Sequence, residues 1–265
     1  MKLQNLFKNR QFPWYAAGVI VLLCIWEFVS RIFDSALILP GPVPVLRDFI
    51  KLTGDERFLS SLGGTFLRVI SGMIISVPLG LACGIAAGLD RRAGAFLRPL
   101  FSLISATPVM SVILIAFLFL GAEKPPVFTA FLMVFPVMAA NSAEGIRRVD
   151  SHLTELFRVY GMTGKETLRH LYIPSIAPFI LGGLQSSLSL CWKVVVAAEV
   201  LVQPFRSLGT GMQQAKARLE TPELFAWTVV TVISAAAMQG LVEIIIRVVT
   251  HGVQTPARRP GGTNG

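Results

Sequence analysis

Long apolar stretches recur along this sequence and restrict it to folds that can place them in lipid. Six runs approach or exceed about 20 residues, the length a helix needs to cross the hydrocarbon core of a bilayer. The runs are approximately 14–33, 63–88, 99–120, 126–142, 174–201 and 224–249. Because a helix satisfies its own backbone polar groups in lipid, we predict an all-α integral membrane protein with six transmembrane helices.

The composition excludes a soluble protein: 53% of the residues are hydrophobic, 15% are charged, and the mean hydropathy is +0.65. The first run contains Glu27 and lacks a clear small-residue cleavage site, so we expect a span and not a cleaved signal. We predict one transmembrane domain at 14–250. A cytoplasmic segment at 1–13 precedes it, and a disordered tail rich in Pro, Gly and Arg follows at 251–265.

Lys and Arg are distributed unequally between the loops on the two sides of the predicted membrane. The loops on the side of the N-terminus carry most of them. The positive-inside rule therefore places both termini in the cytoplasm. The net charge of +9 then reflects topology and lipid headgroups. No basic stripe with interleaved aromatic residues indicates binding to nucleic acid.

One polar segment, 155–174, interrupts the apolar runs, and this topology places it in the cytoplasm within a loop at 143–173. A short first helix can be capped by Asp150, Ser151 or Thr154. Gly161 can end that helix in the left-handed conformation. Thr163 and Glu166 have the spacing of a capping box, so a second helix should start at once and continue towards Pro174. The sequence therefore predicts a helix-turn-helix on the water side, which favours a docking element.

Two sequence patterns describe the surroundings of the second run. Five small residues recur at every fourth position, which lets another helix approach closely: Gly72, Ser76, Gly80, Gly84 and Gly88. That helix is either a neighbour in the same chain or part of a second subunit. Before this run, the Pro-rich segment 39–45 argues against a regular helix and leads into a short outer-surface segment that includes 46–52.

Three charged residues lie within predicted spans, where ionisable groups usually mark functional or paired sites. They are Arg68, Lys193 and Glu199. At 1.5 Å per residue, all three fall in the outer half of the membrane. We expect them to face the interior of the bundle, where they either pair with each other or line a polar path.

Catalytic and metal-binding constellations are absent from the sequence. No His-Glu-x-x-His or Gly-x-Ser-x-Gly motif occurs. The segment 161–165 superficially suggests a phosphate loop, but Val159 and Glu166 occupy positions that require glycine and a hydroxyl residue. We therefore predict that the chain is not an enzyme and binds no cofactor, and that any ATP is bound by a partner subunit.

The cytoplasmic segment resembles the EAA loop of permease subunits of binding-protein-dependent ABC importers. That pattern is Glu-Ala-Ala, three residues, Gly, nine residues and Ile-x-Leu-Pro. Glu155, Gly161 and Leu171 stand at the Glu, Gly and Ile positions, and Pro174 matches the final proline. Leu156 and Phe157 replace the two alanines and make this part of the first helix bulkier. The resemblance implies that the first short helix, with Thr163 at the start of the second, couples the chain to an ATPase.

Four further segments are similar to the taurine, sulfonate and nitrate branch of this family. They are 39–45, 61–72, 192–199 and 208–212. The resemblance implies a type I importer permease bundle in the inner membrane, which forms the path for a small anionic or polar solute. It also implies a second copy of the permease, which forms a homodimer with the first, together with two ATPase subunits and an extracytoplasmic substrate-binding protein.

A six-helix unit of a secondary transporter is the alternative, because it would also contain intramembrane charges and kinked helices. Such transporters usually show internal repeats, and none is visible here. This alternative also leaves the cytoplasmic helix-turn-helix without a role.

Overall fold

The computed structural model describes residues 12–253, and within them the chain is helical, with short connections. In chain order the helices are α1 (Phe12–Phe33), α2 (Pro42–Thr53), α3 (Glu56–Leu89), α4 (Arg91–Ala106), α5 (Val109–Leu120), α6 (Pro125–Arg147), α7 (Ser151–Val159), α8 (Gly164–Thr167), α9 (Ile173–Val202), α10 (Leu208–Ala217) and α11 (Thr221–Val253). A π-helical turn, Leu168–Tyr172, joins α8 to α9. The segment 1–11 and the tail from 254 lie outside the described residues.

Five helical segments are long and apolar enough to cross a membrane. They are α1, α3, α6, α11 and the continuous segment Gly164–Val202. Helices α4 and α5 make a sixth span if they are counted together, although they meet at 92°. The all-α membrane fold is therefore confirmed.

The third apolar run differs from the single span predicted at 99–120. Thr107 and Pro108 both have extended backbone angles and separate α4 from α5. Proline disfavours a helical conformation in the residue before it and cannot donate the next helical hydrogen bond. Helix α5 has 12 residues, so it is only about 18 Å long and cannot cross a hydrocarbon core of about 30 Å by itself.

Helix α6 lies between α3 and α9 and forms the centre of the bundle. The small-residue pattern of α3 faces it. A Cβ atom added to Gly80 would lie 2.7 Å from the Met138 Cβ, and one added to Gly84 would lie 2.3 Å from the Ala139 carbonyl oxygen. The stripe therefore packs against a neighbour in the same chain, which decides between the two alternatives that the sequence left open.

Helix α2 lies at the outer end of the bundle and packs against α11 through Val45 and Leu52. The expectation that 39–45 contains no regular helix is wrong for its second half, because α2 begins at Pro42. Proline is compatible with the first turn of a helix, where its missing N–H group would have no helical partner. The predicted surface segment 46–52 lies within this helix.

Candidate functional site

The cytoplasmic helix-turn-helix begins with a capped helix. Asp150 is the N-cap of α7, and its Oδ1 accepts a hydrogen bond from the His152 amide at 2.8 Å. Of the three capping candidates, the structure therefore selects Asp150. The Thr154 hydroxyl donates instead to the Asp150 carbonyl oxygen at 3.1 Å. Both contacts fix the point at which α7 starts.

The turn after α7 is a Schellman motif centred on Gly161. This glycine has φ of +67°. The Gly161 amide donates to the Arg158 carbonyl, and the Met162 amide donates to the Phe157 carbonyl, each at 3.0 Å. These two bonds satisfy carbonyl groups at the end of the helix and require a left-handed residue between them. The predicted glycine break is confirmed.

The second helix begins immediately, with the capping box that the sequence predicts. The Glu166 carboxylate accepts from the Thr163 amide at 2.8 Å, and the Glu166 amide donates to the Thr163 hydroxyl at 3.3 Å. From Gly164 the chain is helical without interruption to Val202. Consequently the second helix of the water-side element and the membrane helix α9 form one rod, which follows α7 after the turn.

Helix α7 has no buried residue. The exposed apolar side chains of α7 and of its C-cap residue, which we call the docking surface, are Leu153, Leu156, Val159 and Tyr160. Glu155 is exposed beside them, whereas Phe157 is half-buried. Beyond the turn, Leu171 is buried and Pro174 is exposed at the start of α9. An exposed apolar surface on a capped helix is suited to contact with another protein.

At the opposite end of the bundle, Arg68 and Glu199 form a buried ion pair. The Arg68 Nη1 atom lies 3.2 Å from the Glu199 Oε1 atom, and no part of the Glu199 side chain is exposed. The Thr65 hydroxyl lies within 3.0 Å of both Glu199 oxygens and accepts from the Leu208 amide. The Gly209 amide donates to Glu199 at 3.2 Å. One carboxylate thus joins α3 to the start of α10.

A second carboxylate extends this outer ion network. Arg68 Nη2 donates to Glu123 Oε2 at 2.7 Å and to the Phe205 carbonyl at 2.9 Å. Glu123 Oε1 accepts from the Phe205 amide at 2.6 Å. Burial raises the pKa of Glu123, but the hydrogen bonds from Phe205 and Arg68 and the charge of Arg68 lower it more, so the pKa lies below its ordinary value.

The loop that Arg68 holds has an unusual backbone. Gln203 and Arg206 both have positive φ, at +50° and +56°. The Arg206 carbonyl accepts from Arg68 at 3.1 Å and would lie 2.1 Å from a Cβ at Gly64. Only glycine at position 64 lets the loop dock against α3. The loop also borders an open outer cavity of about 1280 Å³ between α2, α3, α10 and α11.

Lys193 does not join this network, which corrects the expectation that all three intramembrane charges face the bundle interior. Its side chain is exposed on the opposite side of α9. Six residues separate Lys193 from Glu199, so at 100° per residue they point in different directions. Two members of the network, Thr65 and Glu123, are not predicted from the sequence. Thr65 lies one turn before Arg68 on the same helix face, and this spacing could have indicated that both residues contact the same partner. No local sequence pattern identifies Glu123.

Within residues 12–253, no group of three or more His, Cys, Asp or Glu side chains is placed to hold a metal ion.

A family comparison covers most of the chain. Residues 76–255 match the model of the family described as "Binding-protein-dependent transport system inner membrane component". The matched region includes the helix-turn-helix, α9 and α11.

Individual relatives carry consistent names. A probable ABC transporter permease protein of Brucella melitensis is 31% identical over 82% of this chain and 88% of its own length. The bicarbonate transport system permease protein CmpB of Synechococcus elongatus is 27% identical over 73% of both chains. The putative aliphatic sulfonates transport permease protein SsuC of Bacillus subtilis is 26% identical over 90% of this chain and 88% of its own.

The fold is also similar to a solved structure, that of the MetNI methionine ABC transporter in an inward-facing conformation. The TM-score is 0.55 at 16% identity, and the match covers 72% of this chain and 93% of that one. At this identity the likeness concerns the fold alone.

Proposed function

The chain belongs to the binding-protein-dependent transport system inner membrane component family, and from this premise we propose that its segment 155–174 couples it to an ATPase. The chain is a transmembrane permease subunit of an ABC importer. The family assignment favours this function over the secondary transporter considered from the sequence.

The continuity of the coupling element with α9 is the observation that carries the proposal. Two caps and the Schellman turn fix the shape of the element, and no loop separates α8 from α9. A partner that moves the docking surface therefore moves the whole rod. ATP is bound by that partner, and ATP-driven closure of two ATPase subunits would switch the path between inward- and outward-facing states.

Co-purification with the ATPase subunit tests this proposal. The double variant Leu156→Glu, Tyr160→Glu places two charges on the docking surface, where desolvating them should weaken the complex at least about tenfold. Leu59→Glu is the matched control, because Leu59 is 73% exposed near the outer end of α3. Equal recovery of ATPase with the double variant and the control would refute the coupling role.

The solute is, in our proposal, a small anion delivered by an extracytoplasmic binding protein. The names of two relatives, for bicarbonate and for aliphatic sulfonates, support this class. The open outer cavity beside α10 is where such a binding protein would release its cargo.

A second, identical copy of the chain completes the path. Helix α4 buries none of its residues within this chain, and it exposes the apolar side chains of Phe96, Leu100 and Leu103. Helix α4 also contains Arg91 and Arg98. Its apolar patch therefore fits a contact with another subunit better than a surface that has no protein partner.

A further inference from the structure

Helix α9 has two chemically different faces. The buried face contains Cys191, Trp192, Val195 and Glu199 and packs within the bundle. Another set of side chains is polar and faces away from that core. We call it the polar face, and it consists of Gln185, Ser186, Ser189 and Lys193. At 100° per residue these four positions fall within about 100° of each other.

Lys193 lies too deep for its charge to be explained by the membrane surface. Nine residues separate it from Val202 at the outer end of α9, which is about 14 Å at 1.5 Å per residue. That distance exceeds the length of a lysine side chain, so the ammonium group cannot reach the outer interface by extending along the helix. Charged side chains at such a depth face a water-filled cavity or a partner.

No acidic group in the described structure neutralises Lys193. Its ammonium group makes no hydrogen bond or ion pair with the side chains described there, and Glu199 is bound to Arg68 on the other face. The outer cavity, by contrast, is lined by both signs of charge, including Lys51, Arg218, Asp48 and Glu220. That cavity has no net preference for anions, whereas the polar face has one uncompensated positive charge.

Polar lining continues from the polar face towards the cytoplasm. A cavity of about 260 Å³ lies between α9 and α11, and its lining includes Gln185, Gln239 and Glu243. Glu243 is paired with Arg247 one turn further along α11. Gln185 lies eight residues before Lys193, so the polar positions extend over about 12 Å of α9.

We propose that the polar face of α9 lines the solute path and that Lys193 selects its charge by binding a small oxyanion in transit. The inference rests on the proposed importer function. The lysine ammonium supplies three hydrogen-bond donors, and the Ser189 hydroxyl and the Gln185 amide supply more, all suited to the oxygens of such an anion. The Ser186 hydroxyl donates to the Gly182 carbonyl oxygen at 3.0 Å.

Thiol labelling of the assembled transporter in lipid vesicles tests this proposal. The background replaces Cys24, Cys83 and Cys191 with alanine, and Ser189→Cys is added. The probes are the anionic sulfonatoethyl and the cationic trimethylammonioethyl methanethiosulfonates, with rates normalised to a free thiol. Ile74→Cys is the control for a lipid-facing position, because Ile74 is 66% exposed on α3.

We expect Cys at 189 to react with both probes, and with the anionic one about tenfold faster. Lys193 lies four residues further along the helix and is therefore a neighbour of position 189. Its positive charge attracts the anionic probe and repels the cationic one. Lys193→Gln should remove this preference, and Lys193→Arg should keep it. A rate no higher than that of Ile74→Cys, or a preference that survives Lys193→Gln, would overturn the inference. The amount of ATPase bound in the same preparations distinguishes failure of this inference from failure of the proposed function. If ATPase is bound but Cys at 189 does not react, only the path along the polar face is rejected.

Discussion

Arg68 connects four parts of the outer end of the protein through one guanidinium group. It contacts Glu199 on α9, Glu123 before α6, and two carbonyl groups of the loop after α9. A buried charge pair of this kind contributes little net stability over an apolar pair, but loss of one partner leaves the other charge buried without compensation.

Arg68→Leu should therefore destabilise the protein by about 3 kcal/mol or more. The additional change Glu199→Gln should recover much of the loss, because it removes the isolated charge. Thermal unfolding of the purified chain in detergent measures both effects. Arg57→Leu is the control, since Arg57 lies on the same helix with an exposed side chain. Equal unfolding temperatures for Arg68→Leu and the control would contradict the role of the ion network.

Glu123 gives the outer end a defined response to acid. Its pKa is lowered in the folded protein, so it contributes stability above the unfolded carboxyl pKa of about 4.3, and this contribution is lost as the pH falls through the lower folded value. Glu123→Gln should reduce the unfolding temperature at pH 7, and the difference from the parent should shrink below about pH 4. A difference that stays constant over this range would exclude ionisation of Glu123 as its cause.

At the scale of single elements, the turn at Gly161 fixes the geometry of the proposed coupling loop. No atom lies within 4 Å of a Cβ at this position, so only the positive φ resists substitution. Gly161→Val should cost about 1–2 kcal/mol in the turn and reduce ATP-driven uptake, while membrane insertion remains. Gly161→Asn should retain more activity, because asparagine tolerates this conformation better.

Gly164→Ala is the control for Gly161, because Gly164 is helical and open to added atoms. Uptake by vesicles that contain the full transporter, normalised to the amount of inserted permease, is the measurement. Parental uptake by Gly161→Val would show that the turn geometry is dispensable.

The contact between α3 and α6 gives a second prediction for single elements. Gly84→Val should destabilise the bundle by about 1–3 kcal/mol, because the nearest obstacle is the Ala139 backbone and cannot rotate away. Gly63→Val adds the same side chain to the same helix where no atom lies within 4 Å. Thermal unfolding of the two variants should separate them clearly, and coinciding curves would refute the close approach.

The local elements could be predicted because their signals lie close together in the sequence. Asp150, Gly161 and Thr163 act on backbone groups within a few residues, so spacing locates the turn and the second cap and limits the first cap to three neighbouring residues. A proline can kink a helix, end it or start it, and the residue alone does not show which of these occurs. The break at Pro108 and the helix start at Pro42 could therefore not be predicted. Glu123 and Arg68 are 55 residues apart, and only the packed bundle brings them together.

The whole molecule is organised around α9, since its two ends lie at the two candidate functional regions. Its cytoplasmic end continues into the proposed coupling element, and its outer end carries Glu199 in the ion network beside the outer cavity. A single subunit leaves most of the polar face of α9 exposed and buries no residue of α4, which agrees with the proposed path between two copies.

The proposed homodimer predicts the composition of the assembled transporter. Native mass spectrometry of the complex should find two copies of this 28.8 kDa chain with two ATPase subunits. Phe96→Glu should shift the assembly towards single permease copies, because Phe96 is 83% exposed on α4 and a charge there would be buried in the contact. A complex with one copy, or with a different second permease, would exclude the homodimer.

The π-helical turn at Leu168–Tyr172 sets a rotational phase within the rod. The Ile173 amide donates to the Leu168 carbonyl, five residues back, so this turn holds one residue more than an α-helical turn. One residue corresponds to about 100° of rotation. If this turn tightened to an α-helical one, the docking surface and the polar face would change their angular relation by about that amount. The direction of the Lys193 side chain relative to the docking surface is therefore set by a turn at the cytoplasmic end of the rod, about 30 Å from Lys193 by helical rise.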